Sequence, residues 1–245
     1  MASTVKVNRT RPSASAENAE IGVRGSKYGE QFIQIVHGKK HNLADEGSYF
    51  IASSPTPGTP IALTTSITTF VETAGAVCGA LWMFNSESKT ADNPMRVYLD
   101  YIKLICVGVP TTGTNMQYAI TIDDCPSRAT GGSALTAVNP NGDSSVASIV
   151  TPIRFGALTT TVPTNRRLVA RGTLRGVIPT TFDEYVIICG GTEGAAYVSA
   201  AASGRFIAGC PPIIFGAQQN LLLNLWFTST NAASTWEVEA AWWER

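Results

Sequence analysis

Apolar and polar side chains alternate with a period of two through most of the chain, and the runs are short. Beyond about residue 30 the pattern predicts strands over Glu30–Val36 (EQFIQIV), Ser48–Ala52 (SYFIA), Ala76–Phe84, Met95–Val109 and Asn115–Asp123. It predicts further strands over Val146–Phe155, Arg167–Ile178, Glu184–Cys189, Ile213–Phe215, Leu221–Thr228 and Ser234–Trp243. In the Met95 run, strict alternation puts Met95, Val97, Leu99, Tyr101, Ile105, Val107 and Val109 on one face, interrupted only by Lys103. The last run sets Trp236, Val238, Ala240 and Trp242 against Glu237, Glu239, Ala241 and Trp243, so its first half reads as half exposed.

Between these runs lie turn-forming clusters. HGKKHNLADEG reads as a connecting, solvated segment, and Asn139–Asp143 (NPNGD) reads as a turn. The PTPGTP stretch (Pro55–Pro60) reads as an ordered loop, because its three prolines fix φ and remove ladder donors. Gly131-Gly132 and Gly190-Gly191 read as turns or bulges. Many short strands, no long amphipathic helix and no fixed repeat predict an all-β fold: an antiparallel two-sheet sandwich, jelly-roll-like, over residues 30–245.

Residues 1–29 differ from the rest. They are polar, lack a sustained apolar period and cannot bury enough surface to fold alone. They read as an extended N-terminal arm, mildly basic through Lys6, Arg9, Arg11, Arg24 and Lys27, that takes its shape from a neighbouring subunit. The opening residues hold no apolar h-region, and no stretch reaches the length of a membrane span, so a soluble chain without a signal peptide is expected.

Composition narrows the partners. Lysine plus arginine and aspartate plus glutamate each total 18, and this zero formal charge argues against bulk attraction to nucleic acid or membrane. Charged residues are only 15% of the chain against 44% hydrophobic, so either charge is spread thinly or partners cover part of the surface. Cys78, Cys106, Cys125, Cys189 and Cys210 form no C-x-x-C pair and read as buried reduced thiols, made in a reducing cytoplasm.

Candidate chemistry is sparse. His37 and His41 stand four apart, a spacing that could share one helix face, but Gly38 and two lysines argue against both helix and cation, so no metal is expected. Asp123-Asp124 and the pair Glu237/Glu239, about 7 Å apart on one strand face, are the acidic pairs that invite a glycosidase reading. No nucleophile elbow, phosphate loop or dinucleotide fingerprint accompanies them, so neither enzyme activity nor a cofactor is expected. Of the tryptophans, Trp226, Trp236, Trp242 and Trp243 crowd the C-terminal end. Trp236 reads as core; Trp242 and Trp243 point to opposite faces, so at least one should look outward to a partner.

The segment KKHNLADEGSYFIASSPTPGTPIA (Lys39–Ala62) resembles capsid decoration or cement proteins of tailed bacteriophages, in which an L-A-D-E-G-x-Y-F run leads into a P-T-P-G-T-x-I-A loop. RVYLDYIKL (Arg96–Leu104) and GGSALTAVNPN (Gly131–Asn141) are similar to the same group. The resemblance samples the central half of the chain and implies a jelly-roll protein on the outside of an icosahedral head, bridging major capsid protein subunits as a dimer or trimer. The expected interface is then Arg9, Arg11, Arg24 and Lys27 of the arm, Pro55, Pro57 and Pro60 of the loop, and Trp242 and Trp243. Two other readings stay open: a carbohydrate- or receptor-binding jelly roll on a virion, and a shell-forming jelly-roll capsid protein.

Overall fold

The computed structural model describes residues 39–63, 68–72, 78–109, 116–175, 178–190, 204–227 and 234–245. The arm, with Arg9, Arg11, Arg24 and Lys27, and the strand expected over Glu30–Val36 lie outside the described residues.

One short helix, α1 (Lys39–Asp45), precedes the strands β1 (Tyr49–Ser53), β2 (Ile61–Ala62), β3 (Gly79–Asn85), β4 (Val97–Gly108), β5 (Met116–Asp123), β6 (Ala129–Leu135) and β7 (Ala137–Val138). Then come β8 (Val150–Thr160), β9 (Arg167–Arg175), β10 (Glu184–Cys189), β11 (Arg205–Cys210), β12 (Ile213–Phe215), β13 (Asn220–Phe227) and β14 (Thr235–Glu244). Sheet I runs β11-β10-β4-β14-β1-β7, with β12 also on β4 and β2 also on β14; sheet II runs β6-β8-β3-β13-β5-β9.

The connectivity is that of a jelly roll. Taking β1, β3, β4, β5, β9, β10, β13 and β14 as first to eighth, sheet I holds the first, eighth, third and sixth side by side. Sheet II holds the second, seventh, fourth and fifth, so the chain changes layer at every step except from the fourth to the fifth. Strands β6 and β8 extend sheet II beyond β3, and β11 extends sheet I by pairing parallel to β10, where the other pairings are antiparallel.

Period-two alternation fills the space between the sheets. Leu81, Met83, Ile120, Ile122, Phe155, Leu221 and Leu223 from sheet II meet Phe50, Leu99, Ile102, Leu104, Tyr185, Trp236 and Trp242 from sheet I. Every one of these is buried.

Two expectations are corrected. The long apolar face of the Met95–Val109 run does not survive: Val97 and Leu99 face the core, but so do Ile102, Leu104 and Cys106, while Tyr101, Lys103, Ile105 and Val107 face outward and are half-buried. The ladder passes from Ala241↔Tyr101 to Trp242↔Leu99, so Asp100 is an extra residue, and one extra residue inverts the alternation beyond it. HGKKHNLADEG is also not all loop, since Lys39–Asp45 is helical. The helix stops in a paired C-terminal cap, Ser48 N–H to Leu43 O at 2.8 Å and Gly47 N–H to Ala44 O at 3.1 Å, with Gly47 at φ 80°. A side chain at Gly47 would also strike Val146, whose Cγ2 lies 2.8 Å from the position a Cβ would take.

Candidate functional site

The two sheets present different outer faces, and each holds part of what the sequence offered. On sheet I, Trp243 faces outward and stacks on Tyr98, ring centroids 5.5 Å apart and 3° from parallel. Trp242 is the correction to the expected interface. It has no exposed surface, stacks on Phe50 across the ladder and donates its indole N–H to Glu244, so it is core and not contact surface. Along its length the same face holds half-buried Ile51, Tyr101, Ile105, Val107, Ile188 and Ile207.

The charges of this face are tied to one another. Glu239 accepts from the Tyr101 hydroxyl at 2.7 Å and pairs with Lys103 at 2.9 Å. Burial pushes its carboxyl up, but these two partners outweigh burial and hold it below the usual carboxylate range. Asp100 accepts from the Tyr49 hydroxyl at 2.7 Å and pairs with Lys40 of α1 at 2.6 Å. Lys40, His41, Asp45, Tyr49, Ile51 and Asn141 line a hollow of about 550 Å³ beside α1.

The proline loop sits at the other end of β14. Pro55 and Pro57 are exposed, Pro60 is half-buried, and Glu237 accepts the Gly58 N–H at 2.6 Å. Trp243 lies six residues along the same strand, roughly 20 Å away at the strand rise, so loop and tryptophan share a sheet without meeting.

The outer face of sheet II is partly roofed. Residues 68–72 cross it, and the Glu72 carboxylate accepts from Thr121 Oγ1 at 2.5 Å and pairs with Arg128 and Arg166. Arg128 has no exposed surface; it also donates from Nε to Asp123 at 2.8 Å, from Nη2 to the Glu72 carbonyl at 3.2 Å, and to the Thr161 carbonyl. Burial pushes the Asp123 carboxyl up, against the pull of the Cys125 N–H and of Arg128. Beside this network Trp82, Phe84, Ala129, Leu158 and Leu222 form a small second core, and Trp82 donates its N–H to Asn220 at 2.6 Å.

At the β9 edge the roof ends in an open groove of about 440 Å³. Phe70 and Trp226 meet at 5.4 Å, the Arg166 guanidinium lies 5.2 Å over the Phe70 ring, and Gln117, Leu168, Arg171 and Thr173 are also in the lining. Leu168 is 46% exposed and Arg171 is exposed. The groove was not anticipated, although RRLVARGTLR, with four arginines in ten residues of a neutral chain, was a signal for it.

The acidic pairs proposed for hydrolysis lie on different sheets and are committed to internal bonds. Asp124 accepts from Asn165 at 3.0 Å and Gln219 at 2.8 Å, which holds its carboxyl below the usual range; Asp123, Glu237 and Glu239 are engaged as described. Among the described residues, no group of three or more His, Cys, Asp and Glu side chains is placed to hold a metal ion. No described helix is long and apolar enough to cross a membrane. The chain matches no protein-family model and no curated protein sequence.

Proposed function

We propose that this protein is a structural component of a virion, a capsid decoration or cement protein that binds the outside of a phage head and bridges major capsid protein subunits. The supporting observation is the outer face of sheet I. It is broad, lined with half-exposed aromatic and branched side chains, and its Lys103, Glu239, Lys40 and Asp100 are already neutralised by one another. Such a face gains by being covered with protein and asks for no charged ligand. The zero formal charge agrees, since the partner is then neither nucleic acid nor membrane. On this reading the chain acts as a dimer or trimer, has no catalytic role and needs no cofactor. It is made in the host cytoplasm and ends on the capsid surface, where many weak contacts sum over the lattice.

Purified chain added to heads that lack it is expected to bind and to raise their resistance to heat. Ile105→Lys and Trp243→Ala, both on the outward face, are expected to weaken binding tenfold or more while leaving the circular-dichroism melt nearly unchanged. Full binding by Ile105→Lys would move the interface off sheet I. Closed particles formed by the purified chain alone would favour a shell-forming jelly roll instead.

The groove on sheet II favours a second reading, a carbohydrate- or receptor-binding module on a virion. Phe70 and Trp226 offer ring faces for a sugar, and Arg166, Arg171 and Gln117 supply donors. Saccharide binding on a glycan array that is lost in Trp226→Ala and Arg171→Ala, but kept in Trp243→Ala, would establish it.

A further inference from the structure

Cysteine closes two neighbouring strands. Cys189 ends β10 and Cys210 ends β11, and the parallel ladder sets them directly opposite each other. Both side chains face the sheet interior, and their sulfurs are 3.0 Å apart. Adjacent strands lie about 4.8 Å apart, inside the roughly 4.4–6.8 Å between Cα atoms that a disulfide spans. The spacing of paired strands thus lies within the reach of a disulfide.

The other cysteines make contacts with oxygen and nitrogen groups. Cys78 donates its thiol to the Thr69 carbonyl at 3.3 Å and accepts the Val71 N–H at 3.2 Å, and burial pushes its pKa up to about 11. Cys125 meets the Thr161 hydroxyl at 3.6 Å, and Cys106 meets the Gly108 carbonyl at 3.8 Å. Cys189 and Cys210 lie buried at the end of the ladder beside Gly190 and Pro211, with 6% and 9% of their surface exposed.

We propose that Cys189 and Cys210 are a covalent modification site: in the presence of a peroxide they form a disulfide that welds the edge strand β11 to β10. One thiolate attacks a peroxide oxygen, giving a sulfenic acid and, with hydrogen peroxide, one water. The second sulfur then displaces the sulfenic oxygen as a second water. Two thiols and one peroxide thus become one disulfide and two waters, the sulfurs losing two electrons in total. Cys210 suits the first role, because the Cys189 thiol hydrogen-bonds to it when it ionises and holds it below the ordinary thiol range. The geometry stands independently of the capsid reading. On that reading the bond closes once the particle leaves the reducing cytoplasm.

The test uses the full reduced chain, treated with hydrogen peroxide, quenched, alkylated in denaturant and mapped without reduction. The expected result is one linked peptide pair joining Cys189 to Cys210, two hydrogens lighter than its parts, with Cys78, Cys106 and Cys125 alkylated. Oxidised chain should melt several degrees higher than reduced chain, a shift that dithiothreitol abolishes, and Cys125→Ser should behave as wild type in both assays. Alkylation at all five cysteines, sulfinic acid at Cys189 or Cys210 without a link, or a link through Cys125 would each overturn the proposal. Because the map is made on wild-type protein, it decides even if Cys189→Ser does not fold. Capsid binding is measured separately, so failure of one proposal leaves the other readable.

Discussion

The outer faces of the two sheets solve the same problem in opposite ways. On sheet I the ionic groups stand in simple pairs, Lys103 with Glu239, Arg205 with Glu184 and Lys40 with Asp100; the Lys103 and Glu239 side chains keep 24% and 29% of their area exposed, whereas Asp100 keeps only 9%. On sheet II, Asp123 and Arg128 are drawn under the crossing residues 68–72, which bring Glu72 to them, and the Arg128 side chain keeps none. Water screens the pairs Lys103 with Glu239 and Arg205 with Glu184, so their value is small and their removal cheap, while the buried Asp100 is the exception on this face. The set on sheet II has left water, and removing one member strands the others. A sheet face that stays open for a partner and one closed by its own chain thus differ in how their charges are housed.

The largest way to break this contrast is Arg128→Met, which leaves Asp123 and Glu72 buried without their shared cation. A loss of about 3–5 kcal/mol in urea unfolding is expected, and a loss under 1 kcal/mol would mean that the network is solvated. Next comes Tyr49→Phe, which removes the hydroxyl from Asp100 while Lys40 remains. About 1–2 kcal/mol is expected in the same assay.

Smaller again is Glu239→Gln, expected to cost roughly 0.2–1 kcal/mol, and less at 1 M salt, where exposed pairs are screened. Arg128→Met should keep its full penalty in that salt. The smallest effect is in pH. Glu239 is held below its ordinary value of 4.5 in the folded protein, so its contribution is complete above that value and fades as pH falls through the folded value. Asp123 is raised, so protonation favours the folded state there and acid acts with the opposite sign. Acid unfolding curves of Glu239→Gln should therefore be flatter than wild type below pH 4.5, and those of Asp123→Asn steeper; the same slope in all three would show that neither carboxyl is linked to folding.

Parts of this were legible before the structure. Glu184–Cys189 and Ile213–Phe215 are strands with the bounds their apolar runs suggested, and Gly131-Gly132 does form a bulge, both residues having positive φ. Alternation along the final strand placed Trp236 in the core and the glutamates outward. What was missed depends on partners far off in sequence. The bulge at Asp100 exists only against β14, and without it Lys103 looked like a flaw in a buried face instead of a surface residue. The strand Ala129–Leu135 is rich in glycine and half exposed, so it has little apolar signal. Arg128 carries no local signal of its role, because nothing near it in sequence announces that residues 68–72 will roof it. The helix α1 does carry a local signal, since Gly47 directly after LADE is the stop of a capped helix and prevails over the two lysines.

The tether between Gly58 and Glu237 bears on kinetics. Prolines at 55, 57 and 60 restrict torsion, the Thr59 N–H to Thr56 carbonyl bond folds the tip, and Glu237 pins it from below. A segment so preformed meets whatever touches it as a rigid knob, with little ordering entropy left to lose on docking. Its contacts should form at a rate set by encounter, with no slow step of finding shape.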